Sequence, residues 1–311
     1  MDVFSRMLVA VDGSGPSDAA VRLSLQIGSG PEGALRFVSV FDPHDVGALA
    51  AAQQACRDAL DDACRSAREG SAGASATMRT GNPVDEILAE ADGWNATCVV
   101  VGTHARSGLP HAFFGSCAEG VLRYSARPVL VARDGVAPRS GTFERVLCAY
   151  DGSAAARRAF EAVAAFAAAR RIEVHLLSVV QLDNLYATGY ERDGFDPDGS
   201  IRSIYDEARR ALKVLAAGPA SSGVCVALHV GGGADVAAVI GASAAAYRCG
   251  LIAMGTHGRR GITRALLGST AESVIRGGAA PVLALHERVA VPMPSLVPDV
   301  KNAAFTELSQ R

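Results

Sequence analysis

Two short segments of this chain place an acid, a glycine and a hydroxyl in a row: Asp12-Gly13-Ser14 and Asp151-Gly152-Ser153. Two longer segments carry spaced glycines ending in Gly-Ser, GTHARSGLPHAFFGSCAEGVLR at 102–123 and GTHGRRGITRALLGSTAESVIR at 255–276. At an offset of 153 the longer pair matches at 12 of 22 positions. A carboxylate accepts hydrogen bonds from hydroxyl or amino donors. Glycines let backbone N–H groups approach a phosphate with no Cβ in the way. A helix that begins at Ser116 or Ser269 turns its positive end toward the same place. Together these parts suit the binding of a phosphorylated molecule. Each also has a plainer use. Asp-Gly-Ser is a common turn and helix cap. Ser116-Cys-Ala-Glu119 and Ser269-Thr-Ala-Glu272 both read as capping boxes, so each serine either caps its helix, binds phosphate, or does the first when empty and the second when loaded. His104 and His257 have no second ligand at metal spacing. Arg106, Arg259, Arg260 and Arg264 either screen phosphate charge or face water.

The elements that position these groups repeat. RMLVAVDGS at 6–14 returns as RVLCAYDGS at 145–153, an offset of 139. The longer offset of the glycine segments leaves about 14 extra residues in the second copy. The Gly/Asp-rich stretch 183–200 is read as that inserted loop. In the second copy the pattern predicts strands at 146–150, 174–180, 224–230, 251–254 and 281–285. Helices are expected at 154–171, 201–217, 235–247 and 269–276. The first copy follows the same order. Val21, Leu23, Leu25 and Ile27 alternate like a strand, but their counterparts Phe160, Val163, Ala164 and Ala167 have helical spacing. Strictly alternating strands and helices imply an α/β fold. Two repeated doubly wound (Rossmann-like) domains are expected, each a five-stranded parallel sheet with helices on both faces. The divisions are 1–138, 142–288 and a C-terminal extension, 289–311. In such a sheet a ligand sits beyond the carboxyl ends of the strands, where strand order reverses. The first and fourth strands flank that point.

Composition narrows the field. The chain is 49% hydrophobic and 20% charged with a net charge of −2, so no basic field draws nucleic acid or membrane. No apolar run reaches the length of a membrane span and none near the start reads as a signal peptide, so the expected location is cytoplasmic. Seven cysteines without a CxxC pair are expected to be free, buried thiols. A Walker loop and a G-x-S-x-G elbow are missing. GTHGRRG is not G-x-G-x-x-G, and its glycines follow the fourth strand rather than the first, which argues against a dinucleotide dehydrogenase. A phospho-receiver domain needs an Asp after its third strand and a Lys after its fifth. The third strands here end in Thr80-Gly81 and Val230-Gly231, and the fifth lead to Arg133 and His286.

The glycine segment resembles the nucleotide-binding members of the universal stress protein family, whose motif is G-x2-G-x9-G-S/T. Gly255, Gly258, Gly268 and Ser269 fit it without a gap. The first copy fits at Gly102, Gly115 and Ser116 but has Ala105 in place of the second glycine. The resemblance covers both copies. It implies ATP, accompanied by a divalent ion such as Mg2+. Tyr150, Asp151 and Val179 would face adenine and ribose, with Gly255, Gly258, Arg259, Gly268, Ser269 and Thr270 around the phosphates. The equivalents in the first copy are Val11, Asp12, Val40, Gly102, Gly115 and Ser116. Ala105 narrows that loop and Cys117 replaces the Thr270 hydroxyl, so the second site is expected to be the better one. The family's habit of pairing last strands implies that Val129–Val131 and Val282–Leu285 pair within one chain; it also allows a homodimer. The expected role is regulatory, in a stress response. The alternatives are a slow ATPase or self-phosphorylating enzyme, and a structural module that binds no nucleotide.

Overall fold

The computed structural model describes residues 2–28, 34–43, 49–70, 73–103, 115–133, 143–181, 197–256 and 267–286. The first copy runs β1 (Arg6–Ala10), α1 (Gly15–Ile27), β2 (Ala34–Phe41), α2 (Leu49–Glu69), β3 (Ala74–Thr80), α3 (Pro83–Gly93), β4 (Cys98–Thr103), α4 (Ser116–Tyr124) and β5 (Val129–Arg133). The second runs β6 (Arg145–Ala149), α5 (Ala154–Arg170), β7 (Glu173–Val180), α6 (Pro197–Ser221), β8 (Val226–Gly232), α7 (Val236–Ala246), β9 (Leu251–Gly255), α8 (Ser269–Gly277) and β10 (Val282–Leu285).

All ten strands form one sheet in the order β3-β2-β1-β4-β5-β10-β9-β6-β7-β8. Within each half the neighbours are parallel. The halves meet where β10 pairs antiparallel with β5, Leu283 opposite Leu130. The intrachain pairing implied by the resemblance is therefore present. Strand order reverses between β1 and β4, and again between β6 and β9.

Side chains alternate across the strands, and this alternation builds two cores. Met7 and Val9 of β1, with Cys98 and Val100 of β4, face α1 and α2. Leu8, Val99 and Val101 face α3 and α4 on the other side. The second half does the same with α5 and α6 on one face and α7 and α8 on the other. Each core runs through the β5–β10 seam without a break. Strands buried on both faces need continuous apolar runs, which is why β4 reads Cys-Val-Val-Val.

Three local expectations change. α6 begins at Pro197, so the final residues of the expected 183–200 loop belong to a helix. Proline suits the first turn because its missing N–H has no partner to lose there. Residues 183–196, the 134–142 linker and the 289–311 extension lie outside the described residues. Asp235, expected inside a helix, instead caps α7 by accepting from Ala238 N at 3.0 Å. β8 runs to Gly232 rather than Val230, following Val180 of β7 in register. Among the described residues, no helix is long and apolar enough to cross a membrane.

Candidate functional site

Each Asp-Gly-Ser segment folds into the same device. Asp12 Oδ1 accepts from the Ser14 N–H at 2.9 Å, and Asp151 Oδ1 accepts from the Ser153 N–H at 2.9 Å. The glycine between them has φ of 76° at Gly13 and 88° at Gly152, a left-handed turn that other residues resist. The serine then caps the following helix: Ser14 Oγ accepts from Ser17 N at 3.4 Å and Ser153 Oγ from Ala156 N at 3.1 Å. The turn uses one oxygen of each carboxylate. Asp12 and Asp151 are both exposed, at the carboxyl-end side of β1 and β6. Val11 and Tyr150 tie this turn to the second strand through Val11 N to Val38 O (2.9 Å) and Tyr150 N to Leu177 O (2.8 Å). Val40 and Val179 are half-buried near the ends of β2 and β7.

The glycine loops are built differently from the sequence expectation. α4 is capped by Gly115 and α8 by Gly268, and neither cap makes a side-chain hydrogen bond. Ser116 and Ser269 occupy the first helical position, one residue too late to cap, so the expected capping boxes do not form. The reason lies in the ladder: Glu119 N bonds to Gly115 O (3.0 Å) and Glu272 N to Gly268 O (2.9 Å). The glutamate carboxylates pair along the helix instead, with Arg123 (2.8 Å) and Arg276 (2.5 Å). The first-turn N–H groups of both helices are thus left without a side-chain cap.

Gly102 and Gly255 also have a structural reason to be glycine. A Cβ on Gly102 would fall on the Pro16 carbonyl. One on Gly255 would stand 2.7 Å from Ala156 N and 2.8 Å from Ala155 Cβ. These glycines let the start of α1 or α5 press against the end of β4 or β9, which sets the aspartate turn beside the end of that strand. A Cβ on Gly115 meets nothing within 4 Å.

Cys117, in the first turn of α4, has its thiol pushed up to about 11 by burial and by the negative charge of Asp12. The aspartate turn and the first turn of α4 are thus near enough for their charges to interact. In the second copy Thr256 anchors the base of the loop. Its carbonyl accepts from Gly268 N at 2.8 Å and its N–H donates to Leu285 O at 2.9 Å, while its hydroxyl lies 2.7 Å from His286 Nδ1. Sequence reasoning gave neither Thr256 nor His286 a part. Their signal is slight, a threonine after the key glycine and a histidine ending the last strand. Gly258, Arg259, His257, Arg260, Arg264, His104, Ala105 and Arg106 fall outside the described residues. Ser269 is exposed and Thr270 half-buried at the α8 terminus. Among the described residues no three His, Cys, Asp or Glu side chains gather as a metal would need. The cysteines are free, as expected, but only Cys98, Cys148 and Cys249 are buried; Cys56, Cys64 and Cys117 are half-buried and Cys225 is exposed.

The universal stress protein family model matches the chain twice, over residues 4–133 and 142–286. Among solved structures, a universal stress protein from Archaeoglobus fulgidus DSM 4304 is similar at 23% identity, covering 91% of this chain and 98% of that one with a TM-score of 0.67. A putative universal stress protein from Pseudomonas aeruginosa UCBPP-PA14 is similar at 19% identity, covering 91% and 93% with a TM-score of 0.59. A shorter match, at 19% identity over 42% of this chain and 92% of its own, is a universal stress protein family protein from Arabidopsis thaliana with AMP bound (TM-score 0.34). No curated protein matches the chain.

Proposed function

The chain belongs to the universal stress protein family, and on that premise we propose that it binds adenine nucleotide, ATP, at the carboxyl ends of its strands and acts as a regulatory stress-response protein in the cytoplasm. The observation that carries the reading is the pair of glycine-capped helices whose first-turn N–H groups have no side-chain cap. Such a terminus favours an anion through its dipole and its unused donors. Asp151, in the turn after β6, would supply an acceptor for ribose or adenine donors. Ser269 and Thr270 add hydroxyls. The residues present therefore fit a nucleotide. A divalent ion would depend on phosphate oxygens and these hydroxyls for its ligands.

The two sites are unequal in this reading. Thr270 offers a hydroxyl where Cys117 offers a neutral thiol, a much weaker hydrogen-bond partner. The second domain is the stronger binder.

Isothermal titration of the full chain with ATP tests the proposal, alongside Ser269→Glu. A carboxylate at the first position of α8 satisfies the helix dipole but repels phosphate. The variant is expected to keep or slightly raise thermal stability and to lose about tenfold or more in affinity at the tighter site. Wild-type protein that binds no ATP, or a variant of unchanged affinity, would sink it.

A further inference from the structure

Toward the amino ends of β6 and β7, opposite the glycine loops, two histidines and a tyrosine pack together in the second domain. His175 lies on β7 and His229 on β8, on one face of neighbouring strands. His175 Nδ1 is 3.0 Å from His229 Nε2. The ring planes differ by 4° and the centroids are 5.1 Å apart. Nitrogens 3.0 Å apart are closer than stacked faces allow, so the rings meet edge to edge in an N–H···N hydrogen bond. Tyr247, just past α7, lies across this bond with its centroid 4.1 Å from that of His229 and 5.0 Å from that of His175.

The surroundings fix the proton. His175 is buried, and its Nε2 is 3.5 Å from Glu173 Oε1, within ion-pair range though too long for a hydrogen bond. Glu173 also holds Arg145 of β6 at 3.1 Å. Beyond α7, Cys249 is buried behind the cluster and Arg248 is exposed. A ring nitrogen that faces a carboxylate keeps its hydrogen, so His175 carries one on Nε2 and accepts at Nδ1 from His229 Nε2–H. The next proton goes to His229 Nδ1, where the Tyr247 ring favours the cation. A further proton has nowhere to bind but His175 Nδ1, head-on to the His229 N–H.

The first domain fills the same corner with other chemistry. The 139-residue offset places Arg6 and Arg36 where Arg145 and His175 stand, and the 153-residue offset places Trp94 where Tyr247 stands. The two guanidinium carbons lie 4.4 Å and 5.1 Å from the Trp94 ring centroid. Arg36 pairs with Glu90 at 2.7 Å. Guanidinium groups hold their charge throughout the physiological range.

We propose that the His175–His229–Tyr247 cluster is an acid sensor that holds one added proton: the second proton separates β7 from β8 and opens the outer edge of the second domain, while the arginine-built corner of the first domain stays closed. Burial holds both imidazoles below the ordinary histidine value near 6.5. For His175, Glu173 opposes this and Arg145 adds to it; for His229, the His175 charge adds to it and Glu173 opposes it. The folded edge therefore binds fewer protons than the opened one, and its stability falls as pH drops below about 6.5.

Hydrogen exchange on the full chain, expressed as protection factors, tests this. From pH 7.5 to 5.5 the amides of β8 are expected to lose about tenfold in protection, and those of β3 to stay within twofold. The double variant His175→Gln with His229→Thr, the latter residue matching Thr77 of the first copy by strand register, is expected to abolish the loss. Imidazole 15N spectra of the wild-type chain need no variant: His229 is expected to titrate before His175, with His175 titrating as β8 opens. Two independent titrations near pH 6.5 with β8 protection unchanged would overturn the proposal. So would equal losses in β3 and β8, or a double variant that keeps the wild-type loss.

Discussion

Leu283 of β10 lies directly opposite Leu130 of β5, and both side chains are fully buried. The pair sits in the core that extends unbroken from one half to the other. Leu283→Ala is expected to cost about 2–5 kcal/mol. Trp94, the one tryptophan of the chain, reports on the first half. Its fluorescence midpoint in urea is expected to fall with that of the whole-chain circular dichroism. A first half whose midpoint ignores Leu283→Ala would mean the halves fold separately.

Gly255 and Gly115 make an internal control. A Cβ at Gly255 meets the start of α5 at 2.7 Å, whereas one at Gly115 meets nothing within 4 Å. Gly255→Ala is expected to lose about 1–3 kcal/mol through overpacking. Gly115→Ala is expected to lose less than about 1 kcal/mol, because alanine is merely a poorer cap. Thermal melts of the two variants decide the order.

Cys117→Thr tests the inequality of the two sites. It gives the first domain the hydroxyl that Thr270 provides in the second. A hydrogen bond to a charged phosphate contributes about 1.5–3 kcal/mol, so the weaker site is expected to gain about tenfold or more in ATP affinity. Two-site titration calorimetry measures it, and the tighter site serves as the unchanged reference.

The thiols predict an alkaline trend. Burial raises Cys98 and Cys249 to about 12 and Cys117 to about 11, and raises Cys148 as well, from an ordinary value of 9.0. The unfolded chain releases these protons first, so stability is full below pH 9 and declines as pH rises through the folded values. Urea midpoints at pH 7, 9 and 10.5 are expected to show the fall in the last step. Brief alkylation at pH 8, read by peptide mass spectrometry, is expected to mark exposed Cys225 well ahead of these four.

Much of this was legible in the chain because burial on both faces writes itself as apolar runs, and duplication let one copy correct the other. Val21 to Ile27 alternated like a strand, and Phe160 to Ala167 showed the helix that α1 is. The serine caps were misread because S-x-x-E looks the same whether the serine caps the helix or begins it; the backbone ladder from Gly115 and Gly268 decides. The start of α6 hid in an Asp/Gly-rich stretch whose turn composition also suits a helix terminus. His175 and His229 are 54 residues apart. They carry no pattern until the β7–β8 register brings them together.

The seam between β5 and β10 has a further consequence. In a dimer of identical subunits, any residue at the contact appears twice, so each must suit itself across a twofold axis. Here the two sides are joined by the chain and meet at any dilution. Symmetry places no demand on them. Arg133, at the end of β5, reaches across to the Arg276 carbonyl at 2.5 Å, while its counterpart His286 turns back to Thr256 within its own half. Covalent linkage has freed the halves to differ, so a single molecule holds one glycine loop with a thiol and one with a hydroxyl.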